Sequence, residues 1–177
     1  MAADQVGEQP RNNVFRETFD LFYRRERKSV IGLAYVLSGS RSGAEDLAQD
    51  AFLQALKSWD RISVYDDPGA WVRRVVANRA VSGFRRRAAE ARALLRFGKV
   101  DYEIPELAQE AVVLWATVRQ LPKRQAQAIA LRYLDGRAIA DIARILDCSE
   151  NTVNTHLKRA KETLSHQFQE ERPHEVH

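Results

Sequence analysis

The sequence predicts an all-α protein built as two small helical domains joined by a linker. Three observations lead there. Apolar residues recur at three- and four-residue spacing along most of the chain, and no strand-length run alternates clearly with a period of two. The pattern changes character between Ala88 and Leu107, where Gly98, Pro105 and a reversal of charge sign fall together. Past that break, two short helical patterns are separated by only three residues. A length of 177 residues suits one domain or two small ones, and 45% apolar with 29% charged residues supports cores rather than compositional disorder.

The first helix carries the stripe Phe15, Phe19 and Phe22, continued by Val30, Leu33, Ala34 and Leu37, with Gly39 and Gly43 expected to end it. Ser42 and Glu45, three apart, have the spacing of a capping box for the second helix. That helix places Leu47, Ala48, Ala51, Phe52, Ala55, Leu56 and Trp59 on one face and Glu45, Gln49, Asp50 and Lys57 on the other. A loop follows over Asp60 to Asp67. Asp67 is placed to cap, and Pro68 to occupy the first turn of, a helix running to about Arg87. Its apolar side is Val72, Val75, Val76, Ala80 and Phe84, and its outer side Arg73, Arg74, Asn78, Arg85 and Arg86.

The second unit begins near Glu106 with Val112, Val113, Trp115, Ala116 and Val118, and Leu121–Pro122 interrupts it. Gln125 to Leu134 is helical, and Asp135–Gly136 stops it. Arg137 to Leu146 forms a short helix with Ile139, Ile142, Ala143 and Leu146 inward. After the turn Asp147–Cys148–Ser149, Ser149 caps a last helix through Leu164, with Val153, Leu157, Ala160 and Leu164 inward. The tail from Gln169 is polar, contains Pro173 and reads as disordered.

Charge is unevenly spread. The whole chain carries +4, yet Arg73 to Lys99 holds nine basic residues against the single acid Glu90. Acidic segments flank it: Glu45, Asp46 and Asp50 before, and Asp101, Glu103, Glu106 and Glu110 after. Such alternation fits different faces for different partners, or simply solvated helix faces. One cysteine excludes a disulfide framework and suits a reducing compartment. No signal peptide and no membrane insertion are expected, since the longest near-continuous apolar run, Val30 to Leu37, is far shorter than the ~20 residues a span needs.

No phosphate-binding loop or nucleophile elbow occurs. His156, His166, His174 and His177 show no metal-site pairing, and Cys148 reads as a packing residue. The chain is therefore expected to be neither an enzyme nor a holder of metal or cofactor.

Two short helices joined by a three-residue turn make a helix-turn-helix pattern, in which the second helix lies in the DNA major groove. With Val153, Leu157 and Ala160 inward, Asn151, Asn154, Thr155, Lys158 and Arg159 face out. Asn pairs bidentately with adenine, Arg and Lys favour guanine, and Thr bonds either or meets a thymine methyl. An ordinary helical hairpin with a polar outer face is the bland alternative.

The run LPKRQAQAIALRYLDGRAIADIARILDCSENTVNTHLKRAKETL resembles the C-terminal domain of bacterial RNA polymerase sigma factors of the extracytoplasmic-function class. AEDLAQDAFLQALKSWDRI and DDPGAWVRRVVANRAVSGFRRR resemble the acidic helix and the following helix of the N-terminal domain. The resemblance covers Phe15 to Phe168. It implies a sigma-2-like bundle over 12–90, a linker over 91–109, a sigma-4-like helix-turn-helix domain over 110–168 and a tail over 169–177. It implies that Asp46, Gln49, Asp50 and Leu53 bind the clamp helices of the β′ subunit of core polymerase, the β flap being a further contact. It implies that the Asp60–Asp67 loop with Trp71, Arg74, Asn78, Arg85 and Arg86 opens the promoter at the −10 element, and that Asn154, Thr155, Lys158 and Arg159 read the −35 element. Cytoplasmic location follows, and the family often pairs with an anti-sigma factor.

The residues agree with those roles, because a melted strand needs cations and aromatic faces. Trp71 can equally be a core aromatic, and Arg85 to Arg87 a solvated helix end. Two positions depart from the family pattern: Ser82, where Asp is frequent, and Asp147, where Gly is usual. Asp tolerates the left-handed conformation better than most residues, so modest strain is expected at the turn. SENTVNTHLKRA also resembles the output domain of LuxR-type regulators, but the N-terminal half lacks strand–helix alternation. An RNA-binding adaptor would need an RNA module that the sequence does not contain.

Overall fold

The computed structural model describes residues 17–90 and 109–170, with side chains described for 17–80 and 110–169. Among the described residues there are helices and no strand. The N-terminal unit is α1 (Phe19–Ser38), α2 (Arg41–Lys57), the single turn α3 (Trp59–Ile62) and α4 (Pro68–Glu90). The C-terminal unit is α5 (Gln109–Val118), α6 (Lys123–Ile129), a π-helical segment over Ala130–Leu134, α7 (Ile139–Leu146) and α8 (Glu150–Glu170). Phe15 and residues 91–108 and 171–177 lie outside the described residues, as do the side chains of Ser82, Phe84, Arg85, Arg86 and Arg87; Gln109, expected in the linker, begins α5, and Gln169 and Glu170, expected in a disordered tail, end α8.

Local chemistry sets most helix ends. Thr18 caps α1, and Gly39 closes it in the left-handed conformation at φ 75°. A Cβ on Gly39 would meet Arg119 Nε at 2.8 Å and push that side chain aside, but it is the left-handed backbone that favours glycine there. The start of α2 corrects the sequence reading. Ser40, not Ser42, is the cap, its Oγ accepting from Gly43 N at 3.1 Å. The helix thus begins early enough that Gly43 lies inside it, buried, rather than ending α1. Asp67 caps α4 as expected, its Oδ1 accepting from Ala70 N at 2.9 Å. Helix α4 reaches Glu90, beyond the expected Arg87, and the loop before it begins with the turn α3.

Phe22, Val30, Leu33, Ala34 and Leu37 of α1 pack with Leu47, Ala48, Ala51, Phe52 and Ala55 of α2 and Val72, Val76 and Ala80 of α4. Phe19, Phe22, Tyr23, Phe52 and Trp59 stack as an aromatic cluster at one end, with centroids 4.7 to 6.2 Å apart. Leu56 departs from its expected inward place and is exposed, as are Val112 and Val113 on α5. Trp115, Val118, Leu131, Ile142, Leu146, Val153, Leu157 and Ala160 fill the second unit. Ile145, outside the inward stripe read from the sequence, is also buried, so α7 is covered on more than one side.

One helix predicted over Gln125 to Leu134 is instead α6 followed by a π turn, whose end is marked by Asp135 N donating to Ala130 O at 3.2 Å. The widened turn carries the chain into Asp135, whose side chain is 1% exposed, and into Gly136 at φ 68°.

Candidate nucleic-acid and polymerase interface

The turn between α7 and α8 has the geometry a helix-turn-helix needs. Asp147 sits at φ 57°, ψ 56°, the one non-glycine with positive φ among the described residues. Its backbone N–H donates to Ala143 O. Ser149 Oγ then accepts from Thr152 N at 3.1 Å and fixes the start of α8. Val153, Leu157 and Ala160 are buried, while Asn151, Asn154, Thr155, Lys158 and Arg159 are all exposed on the opposite side. His156, beside them, is biased toward its neutral form by partial burial and by Arg124 and Arg159. This face carries amide, hydroxyl, ammonium and guanidinium groups, the donors and acceptors that base edges in a major groove take.

Helix α2 presents Asp46, Gln49, Asp50 and Leu53 to solvent, Leu53 being 46% exposed. Asp50 meets Arg79 at 3.0 Å on the surface. Beside these residues a groove of about 230 Å³ lies between α1 and α2, lined by Phe19, Tyr23, Gln49, Phe52, Leu53 and Leu56. Aromatic side chains of the cluster line the groove, so α2 offers an apolar slot with one carboxylate, Glu45, in its wall.

Helix α4 touches the C-terminal unit through the Arg74 side chain and the Asn78 carbonyl, while the Arg74 side chain stays 42% exposed and Asn78 exposed. Trp71 is half-buried and lines a cavity of about 440 Å³ with Tyr65, Asp67, Arg74 and Arg144. Arg74 donates to the Arg144 carbonyl and lies 3.8 Å from Asp147. Lys123 Nζ donates to the Asn78 carbonyl at 3.1 Å, and buried Gln127 donates to the Ala77 carbonyl at 2.5 Å.

Arg73, expected on the outer basic side, is the largest correction. It is 2% exposed and makes five hydrogen bonds, matching the five N–H groups of its guanidinium. Nε meets Asp135 Oδ2 at 2.5 Å, Nη1 meets Glu26 Oε2 at 2.6 Å and the Gly69 carbonyl at 3.2 Å, and Nη2 meets Ser29 Oγ at 2.9 Å and Asp135 Oδ1 at 3.2 Å. Ser29 also donates to Asp135, and Arg137 reaches Asp135 at 3.0 Å and Asp67 at 3.4 Å. Burial opposes ionisation of Asp135 and Glu26. The guanidinium of Arg73, with Arg25 beside Glu26, outweighs it and holds both carboxyls below their ordinary range. Those same carboxylates outweigh burial at Arg73 and raise its pKa. No feature of the sequence marked this cluster: Arg73 and Asp135 are 62 positions apart, and Asp135–Gly136 reads as a plain helix stop.

Both units have counterparts among known proteins. Residues 22–90 match sigma-70 region 2, and residues 111–164 match sigma-70 region 4. SigM, an extracytoplasmic-function sigma factor of Mycobacterium tuberculosis, is 28% identical over 150 residues, which are 85% of this chain and 76% of that protein. The chain belongs to the extracytoplasmic-function sigma factors. SigW of Bacillus subtilis, of the same class, is 25% identical over 173 residues, covering 89% of this chain and 90% of SigW. The sigma factor RpoE of Bartonella quintana, solved with the anti-sigma factor NepR, has the same fold. Its TM-score is 0.67 at 22% identity, over 87% of this chain and 98% of that one. Sigma factors of this class direct promoter-specific initiation of transcription, and the relatives are non-enzymatic initiation factors. Among the described residues of this sigma factor, no helix is long and apolar enough to cross a membrane.

Proposed function

We propose that the unit over 12–90 docks on core RNA polymerase and reads the −10 element, and that the unit over 110–168 reads the −35 element, the linker over 91–109 spanning the distance. Asp46, Gln49, Asp50 and Leu53 meet the β′ clamp helices, and the C-terminal unit meets the β flap. Trp71, Arg74, Asn78, Arg85 and Arg86 hold the opened −10 strand, and Asn151, Asn154, Thr155, Lys158 and Arg159 enter the major groove at −35. The observation that carries this reading is the pairing of two family regions in order with an exposed polar face on α8 opposite its buried stripe.

The chain works in the cytoplasm and does no bond chemistry itself; the polymerase supplies that. An anti-sigma factor is a further partner, in line with the complex solved for a protein of the same fold. The reading is tested by gel filtration with sigma-free core polymerase. The wild-type chain should co-elute with core, and a chain that is folded yet never co-elutes would refute it.

A further inference from the structure

An α-helix is about 10–12 Å across and the DNA major groove about 12 Å wide, so a helix that enters the groove turns its outer face to the bases and its flanks to the phosphate walls. On α8, Asn154, Lys158 and Lys161 stand at i, i+4 and i+7, one row along the helix, and all three are exposed. The row follows one edge of the outer face, beside the buried stripe of Val153, Leu157 and Ala160. Lys161, its last member, is held by a second element. Its Nζ lies over the ring of Tyr133, 5.4 Å from the centroid. Tyr133 belongs to the π-helical segment Ala130–Leu134, in which Ala130 and Leu131 are buried and Arg132 and Tyr133 exposed. At 56% exposed, the Tyr133 ring does not serve the core.

We infer that Tyr133 and Lys161 form a phosphate-binding edge that seats α8 in the groove by taking the DNA backbone rather than a base. The inference rests on the reading of α8 as the helix that enters the groove. Three features carry it. The Tyr133 ring attracts the ammonium and restrains the long lysine stem, so the charge is held at one place on the edge. The two residues together bring an ammonium and a phenolic hydroxyl to that edge, and both are donors that phosphate oxygens accept. Among the described residues neither Lys158 nor Lys161 is ion-paired, although Glu162 stands exposed beside them, so the Lys161 charge is available to an anion. Phosphate contacts fix register and orientation and carry no sequence information. The edge therefore sets how α8 sits and leaves Asn154 and Lys158 to the bases.

The test is fluorescence anisotropy of the full chain with labelled duplex DNA of random sequence, repeated over a range of salt concentrations. Lys161→Gln and Tyr133→Phe change exposed side chains and should leave the fold in place. Lys161→Gln should flatten the slope of log affinity against log salt by about 0.9, so that its deficit against wild type is about 3.5-fold larger at about 50 mM than at about 200 mM. Lys161→Arg should restore the slope. Tyr133→Phe keeps the ring beneath the ammonium and loses only the hydroxyl, so binding should weaken roughly twofold to tenfold at unchanged slope. Wild-type affinity and slope in Lys161→Gln would overturn the edge, and a loss confined to particular duplex sequences would overturn it in favour of a base contact. Undiminished binding by Tyr133→Phe would overturn the shared edge and leave a lone lysine. The reading of α8 is judged separately, by selecting preferred duplexes from a random pool with the wild-type chain. Absence of any preference would count against α8 as a reader of bases, while the salt slopes still decide the edge. A wild-type chain that binds no duplex at about 50 mM salt would overturn both.

Discussion

Arg73→Met takes one charge out of the centre of the structure and leaves two carboxylates behind. Methionine fills a similar space, so the loss is electrostatic rather than a cavity. Asp135 is 1% exposed and Glu26 13% exposed, so neither is freely hydrated. Breaking a buried pair from one side costs about 3–5 kcal/mol. Arg137, 3.0 Å from Asp135 and 3.9 Å from Glu26, remains and places the cost near the lower end, about 3 kcal/mol. Asp135 can shed its share if the units part; Glu26 cannot, since α1 and α4 belong to one bundle. For a chain of this size the melting temperature should fall by roughly 6–12 °C, read by circular dichroism at pH 7.

The pH dependence has a definite sign. Asp135 and Glu26 are held below their ordinary pKa in the folded wild type, so the stabilisation they give is complete above the ordinary carboxylate range. It is lost as pH falls through their depressed values. Wild type and variant should therefore differ most near neutrality and converge below about pH 4. A fall under about 2 °C at pH 7 would refute the argument that Arg73 is the electrostatic centre of this contact.

Asp147 stands in the left-handed region, so Asp147→Gly should be more stable than Asp147→Ala by about 1 kcal/mol in urea denaturation; equal stability would contradict the strain argument. Arg159→Ala should lose about 1–3 kcal/mol on promoter DNA with relaxed preference at one −35 position. Uniform weakening across sequences, with a shallower salt slope, would make it a phosphate contact instead. Asp50→Arg should keep its melting temperature, because its pair with Arg79 is on the surface, yet weaken co-elution with core polymerase; unchanged co-elution would remove Asp50 from that interface.

Much of the fold could be read from the sequence because the signals were local. Gly39, Asp67 and Ser149 mark helix ends through their own backbone and side-chain chemistry. The outward set on α8 followed from the inward spacing of Val153, Leu157 and Ala160. Ser40 was missed because two serines stand close together, and only the backbone at Ser40, extended at φ −143°, decides which one caps. The contact between the units was invisible for a different reason. Helical periodicity separates an apolar face from a polar one, but it cannot say that a polar face meets another polar face. Arg73 reads as an outer-face residue, and it and Gln127 are both buried against partners distant in sequence. The π turn was hidden likewise, since Ala130–Leu134 continues the apolar spacing of α6 without a break.

Run-off transcription decides whether this chain gives core polymerase its choice of promoter. Purified protein, sigma-free bacterial core and fragmented genomic DNA are combined, and transcript starts are sequenced. New, discrete starts that share −35 and −10 elements and disappear without the protein are expected. A folded protein and an active core that together yield no such starts would contradict it.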